Sequence, residues 1–162
     1  MNSRLFAAAF LLGSGTVLAS CGGNSEEPVE QQAPEGVEGL SIENPRLILP
    51  AVAGNPGVVY FDLVNDSDRN YAVRRADVEG AGRTEMHGSM EMYDGEIAMS
   101  PVGPQTVMAN DTFTFEPGGF HVMVFDLSPE LQAGGETEMT LTVAGGDKAS
   151  FAVPIQSPGD AR

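Results

Sequence analysis

The sequence predicts an all-β fold, a sandwich or barrel of about eight or nine short strands. Three observations predict it. From Leu40 onward the apolar runs are short, with turn clusters roughly every ten residues. The chain carries 20 Gly, 11 Pro and no Trp, a composition that suits many turns. No stretch of normal helix length shows the helical period.

Taken in order, strands are expected over residues 41–49, 57–64, 71–78, 83–90, 96–102, 112–115, 120–127, 138–143 and 150–155. In the second, Val59, Phe61 and Leu63 alternate with Tyr60, Asp62 and Val64, which marks a buried face. The cluster Asn65-Asp66-Ser67-Asp68 is the turn that follows. Residues 128–131 are long enough for one short helical turn and no more. No internal repeat is visible.

The N-terminus reads as a targeting segment over residues 1–20. Arg4 supplies the positive charge, and residues 5–18 are apolar but too short for a membrane span. The run ends Leu18-Ala19-Ser20-Cys21, which resembles the lipobox of bacterial lipoproteins. That resemblance implies lipidation of Cys21 and attachment in the cell envelope, facing the periplasm. Gly22, where inner-membrane retention favours Asp, implies the outer membrane in a Gram-negative cell. Residues 21–39 are acidic and Pro/Gly/Gln-rich, an expected tether. The folded domain is expected over 40–156, with a polar tail at 157–162.

Composition excludes several function classes. The net charge of −15 leaves no basic surface for nucleic acid. Cys21 is the sole cysteine. With it acylated, the domain could hold no disulfide, no thiolate zinc site and no His/Cys copper site of the electron-carrier kind. Two histidines without a nucleophilic Cys or a Ser-His-acid set offer little catalytic machinery, so the expectation is a protein that is not an enzyme.

Both histidines, His87 and His121, lie between Met86 and Met123, together with six of the eight methionines. Along a strand His121 and Met123 point the same way, with Phe120, Val122 and Val124 on the other face. Imidazole beside thioether suits monovalent copper rather than hard cations. A single Met in such a place more often fills a gap: Met139 is expected in the core, and Met86, Met90, Met92 and Met108 as core or surface filling, with entry or hand-off of a metal as the alternative for each. The turn Tyr93-Asp94-Gly95 leaves the partner of this pair open. A two-residue loop would set Met90 opposite Met99 and turn His87 away. A three-residue loop with a bulge would set Ser89 opposite Met99, so that His87 shares the face of Met99.

The spacing His87-x11-Met99-x21-His121-x-Met123 resembles the copper-binding motif of the periplasmic PCu(A)C copper chaperones. The segment from Pro117 to Met123, the run Val58-Val59-Tyr60-Phe61 leading to Asn65, and Leu131-Gln132-Ala133-Gly134-Gly135 also fit that family. The resemblance implies a cupredoxin-like β-barrel, with His87, Met99, His121 and Met123 as Cu(I) ligands. It further implies delivery of copper to the CuA centre in subunit II of cytochrome c oxidase, alongside SCO-type proteins. Gly88 stands where many members have Met. Two other roles fit the same residues: a lipoprotein for copper sequestration or resistance, and a metal-free, immunoglobulin-like structural lipoprotein.

Overall fold

The computed structural model describes residues 36–91 and 97–159, which form ten strands and no helix. They are β1 (Leu40–Ile48), β2 (Gly57–Asn65), β3 (Tyr71–Val78), β4 (Ala81–Glu91), β5 (Ile97–Pro101), β6 (Gln105–Val107), β7 (Asp111–Phe115), β8 (His121–Leu127), β9 (Glu136–Val143) and β10 (Lys148–Gln156). The first twenty residues, Cys21 and most of the expected tether lie outside the described residues, as do Met92 and the turn Tyr93-Asp94-Gly95.

The strands join in one path, β5-β4-β8-β2-β1-β10-β9-β3-β6, with β7 added beside β2. Neighbours are antiparallel except β1 and β10, which run parallel. The path ends at β5 on one side and β6 on the other, so among the described residues it is an open sheet rather than a closed barrel.

Alternation builds the core. Val59, Phe61 and Leu63 of β2 are buried while Tyr60, Asp62 and Val64 between them are half-buried. Met86, Val122 and Val124 join them from β4 and β8. From the other half of the path come Val73, Ala76, Met139, Leu141 and Val153, and all belong to one buried cluster. The path therefore folds over, so that its two halves face each other across a single core. Phe61 and Phe115 stack within it, ring centroids 4.3 Å apart.

Two details differ from the sequence reading. The strand β6 was not expected: Gln105-Thr106-Val107 is too short and too polar to show alternation, and only its pairing with β3 reveals it. Folded chain begins by Val37, inside the expected tether, because this side chain is buried in the core. Tyr71 secures the same segment, its hydroxyl donating to the Glu38 carbonyl at 2.7 Å. Residues 128–131 form the one short turn expected of them, closed by Leu131 N–H on the Ser128 carbonyl.

Candidate metal centre

Strands β5, β4 and β8 lie side by side at one end of the path. In the β4–β8 ladder His87 is directly opposite His121, and Glu85 is opposite Met123. In the β4–β5 ladder Ser89 is opposite Met99 and His87 is opposite Pro101. Directly opposed residues share a face, and so do residues two apart on one strand. His87, His121, Met123 and Met99 therefore occupy one face of three adjacent strands. The register is the one that a three-residue loop would give. Met90, opposite Ala98, takes the other parity.

His87 sits at the centre of this group. Its ring centroid is 5.8 Å from that of His121. Met123 and Met99 occupy diagonal positions on either side of it, a separation of about 7–8 Å that a long side chain can span. The opposite face of the same strands belongs to the core: Met86, Val122 and Val124 are buried there. Gly88 also faces inward, and a Cβ on it would meet the Phe120 ring at 3.0 Å and Val102 at 3.1 Å. Met139 is wholly buried and Met108 is exposed, so neither joins the group.

Each imidazole is held by one nitrogen. His121, only 4% exposed, places Nδ1 at 3.0 Å from the Gly119 carbonyl. That carbonyl is fixed by a tight turn in which Gly118 takes φ +82° and Gly119 N–H bonds the Glu116 carbonyl. His87 places Nε2 at 3.0 Å from Glu85 Oε2. The second oxygen of Glu85 takes Arg83, whose guanidinium lies 3.8 Å over the Phe125 ring. The hydrogen bond from His87 holds the Glu85 carboxyl below its ordinary range, and Arg83 acts in the same direction.

Aromatic and cationic groups border the face. Tyr60 on β2 is tilted against His121 at 6.4 Å, and Arg46 lies 5.1 Å over the Tyr60 ring. The register shift between Glu43 and Arg46, with Asn44 at φ 50°, sets Arg46 opposite Tyr60. Burial raises the Tyr60 phenol, offset in part by Arg46. Exposure is uneven across the group: His87 has a side chain 14% exposed, whereas Met99 on the edge strand is 58% exposed.

This arrangement has a definite chemistry. Among the described residues, no three His, Cys, Asp or Glu side chains are placed to hold a metal ion. A metal bound on this face would need the thioethers beside the imidazoles, and such a donor set favours a soft monovalent ion. Sequence reading missed Glu85, Tyr60 and the Gly119 carbonyl. Glu85 had a signal, since it stands two residues before His87 and so shares its face. The other two are set by strand pairing and turn geometry.

Fold and face together define an all-β domain of the PCuAC kind. The copper-bound PCuAC domain from PmoF2 has the same fold, with a TM-score of 0.62 at 21% identity over 76% of this chain and 97% of that one. The apo PCuAC domain from PmoF1 gives 0.61 at 25% identity over 75% and 97%. The CuI-DR1885 solution structure from Deinococcus radiodurans gives 0.56 at 19% over 79% and 85%. Residues 40–155 match the family described as putative lipoprotein LpqE-like, and the chain belongs to that family. Putative lipoprotein Lxx21020 of Leifsonia xyli subsp. xyli is 24% identical over 129 residues, 80% of this chain and 77% of that one. The resemblance to PCu(A)C copper chaperones, in a lipoprotein form, is borne out by these matches.

Proposed function

We propose that this protein is a Cu(I)-binding metallochaperone of the bacterial cell envelope, with His87, Met99, His121 and Met123 as ligands. One observation carries the reading: two imidazoles paired across β4 and β8, with a thioether diagonal to His87 on each side. Copper-bound and CuI forms among the similar structures support it.

The donor set explains how copper could be both held and released. Neutral imidazoles and thioethers add no charge, so the complex keeps only that of the ion, which favours Cu(I) over Cu(II). With Cys21, the sole cysteine, acylated, no thiolate is left to trap the metal. His121 is buried and fixed by Gly119, whereas Met99 is exposed on an edge strand. An acceptor would reach the Met99 side first and take copper by stepwise exchange, with His121 letting go last. In this reading the domain handles metal and catalyses no reaction. It hangs from the membrane by lipidated Cys21, facing the periplasm, on the outer membrane in a Gram-negative cell. The acceptor is the CuA centre in subunit II of cytochrome c oxidase, with an SCO-type protein as co-worker.

Anaerobic titration with Cu(I) against a chromophoric chelator tests the centre. One equivalent should bind tightly, His121→Ala should lose it, and the copper absorption edge should report mixed nitrogen and sulfur neighbours. Failure of the wild-type protein to compete with the chelator would defeat the proposal. Oxidase activity in a deletion strain starved of copper tests delivery. Normal activity there would favour sequestration.

A further inference from the structure

We infer that Glu85 is a positioning residue for this centre: it fixes His87 as the tautomer opposite to that of His121, so the two rings offer a metal different nitrogens. The inference rests on the proposed function for its meaning, but its structural content can be read without copper.

A backbone carbonyl can only accept, so the 3.0 Å contact with Gly119 requires a proton on His121 Nδ1. The lone pair of that ring is then on Nε2. An ionised carboxylate likewise only accepts, so the 3.0 Å contact with Glu85 requires a proton on His87 Nε2. The lone pair of that ring is on Nδ1. Cross-strand partners thus carry complementary protonation before any metal arrives.

The carboxylate is itself anchored. One oxygen is taken by Arg83, whose guanidinium is stacked on Phe125, and the other faces His87. Arg83, Glu85 and His87 stand at alternate positions of β4, so the line Phe125–Arg83–Glu85–His87 lies along one face. A metal-bound imidazole commonly donates its other N–H to a carboxylate or carbonyl, and losing that partner costs about 10–100-fold in metal affinity. Both rings here have such a partner, one from each class. Glu85 is a support rather than a rival ligand, because its two oxygens are already committed.

The test uses the full chain labelled with 15N-histidine, without metal, in long-range 1H–15N correlation spectra at neutral pH. Wild-type protein should show one ring protonated at Nε2 (His87) and one at Nδ1 (His121), assigned with His87→Ala. In Glu85→Ala the His87 signals should move toward an average of tautomers while those of His121 stay put. Glu85→Gln offers one acceptor oxygen to two donors: Arg83 takes it, and the NH2 left facing His87 Nε2 should turn that ring to the Nδ1-protonated tautomer. Cu(I) affinity should fall about 10–100-fold in Glu85→Ala and should not recover in Glu85→Gln. A wild-type His87 protonated at Nδ1, or a pattern unchanged in Glu85→Ala, would overturn the inference. So would unchanged or tighter copper binding in Glu85→Ala when the wild type binds, and that outcome would leave the chaperone reading intact. A wild type that binds no Cu(I) yet shows the two tautomers, with His87 responding to Glu85→Ala, would sink the chaperone reading and support the ring assignment.

Discussion

Asn65 gives a sharp test of what holds this fold together apart from the candidate site. Its side chain is wholly buried at the end of β2. Nδ2 donates to the carbonyls of Arg69 at 2.8 Å and Met108 at 2.9 Å, and Oδ1 accepts from the backbone and hydroxyl of Ser67. One amide therefore fastens the β2–β3 turn to the chain entering β7. In Asn65→Ala, Arg69 keeps the Ser67 hydroxyl as a partner, so the groups left without one are the Met108 carbonyl and the Ser67 N–H. At about 1–3 kcal/mol for each unmet buried group, reduced by water reaching these near-surface loops, the loss is about 2–4 kcal/mol. For a domain of this size that lowers Tm by roughly 8–16 °C. Asn65→Asp, the same shape, should cost at least as much, because an oxygen would then face two carbonyls. Asn65 lies five residues from Tyr60 along β2, roughly 17 Å at the strand rise. Copper affinity of the folded protein should therefore not change. Thermal melts followed by circular dichroism, with the chelator competition run well below Tm, read both quantities. A Tm loss under about 3 °C in both variants would refute the accounting, and lost copper binding at unchanged Tm would refute the separation of scaffold from site.

Other predictions follow from the same geometry. Met99→Leu should weaken Cu(I) binding less than His121→Ala, because Met99 is exposed on an edge strand and His121 is fixed in place; competition titrations giving the reverse order would refute this. Gly88→Ala presses on Phe120 and Val102 at 3.0–3.1 Å and should destabilise by about 1–3 kcal/mol, with Gly88→Met worse; equal or raised denaturant midpoints would refute it. Acid should release copper, since imidazoles must be neutral to bind, and a binding curve flat from neutral to mildly acid pH would count against the ligand set. Glu85 has a depressed folded-state pKa, so its contribution is present above the unfolded value and vanishes only as pH falls through the lowered one. His87 should therefore keep its Nε2–Glu85 contact throughout the neutral range, which the 15N spectra would show.

The legible parts of the chain were those governed by period. Val59, Phe61 and Leu63 announced β2, and the offset of two between His121 and Met123 announced a shared face. What period could not supply was register. A slip of one residue in the β4–β5 pairing exchanges His87 for Met90 on the face of Met99, and the choice rests on the turn rather than the strands. The pairing of Ser89 with Met99 decides it. Topology hid Tyr60 and Arg46 from sequence reading, since β2 meets β8 only through a pairing between strands distant along the chain. The short β6 was hidden for a different reason: three residues cannot display an alternation.

The two faces of β4 and β8 divide the labour between fold and site. On β4 and β8 the inward positions Met86, Val122 and Val124 are locked into the core, while on the other face Glu85, His87 and Met123 are half-buried and His121 is buried beside the Gly119 carbonyl. The inward positions set the sheet, and that packing requires no donors on the other face. The sheet alone therefore never implies a metal. What supports the proposed metal is that donors from three adjacent strands share one face around His87, and that each ring has one nitrogen held beside an acceptor. Under the proposed function these contacts are the outer partners that orient a metal-binding imidazole.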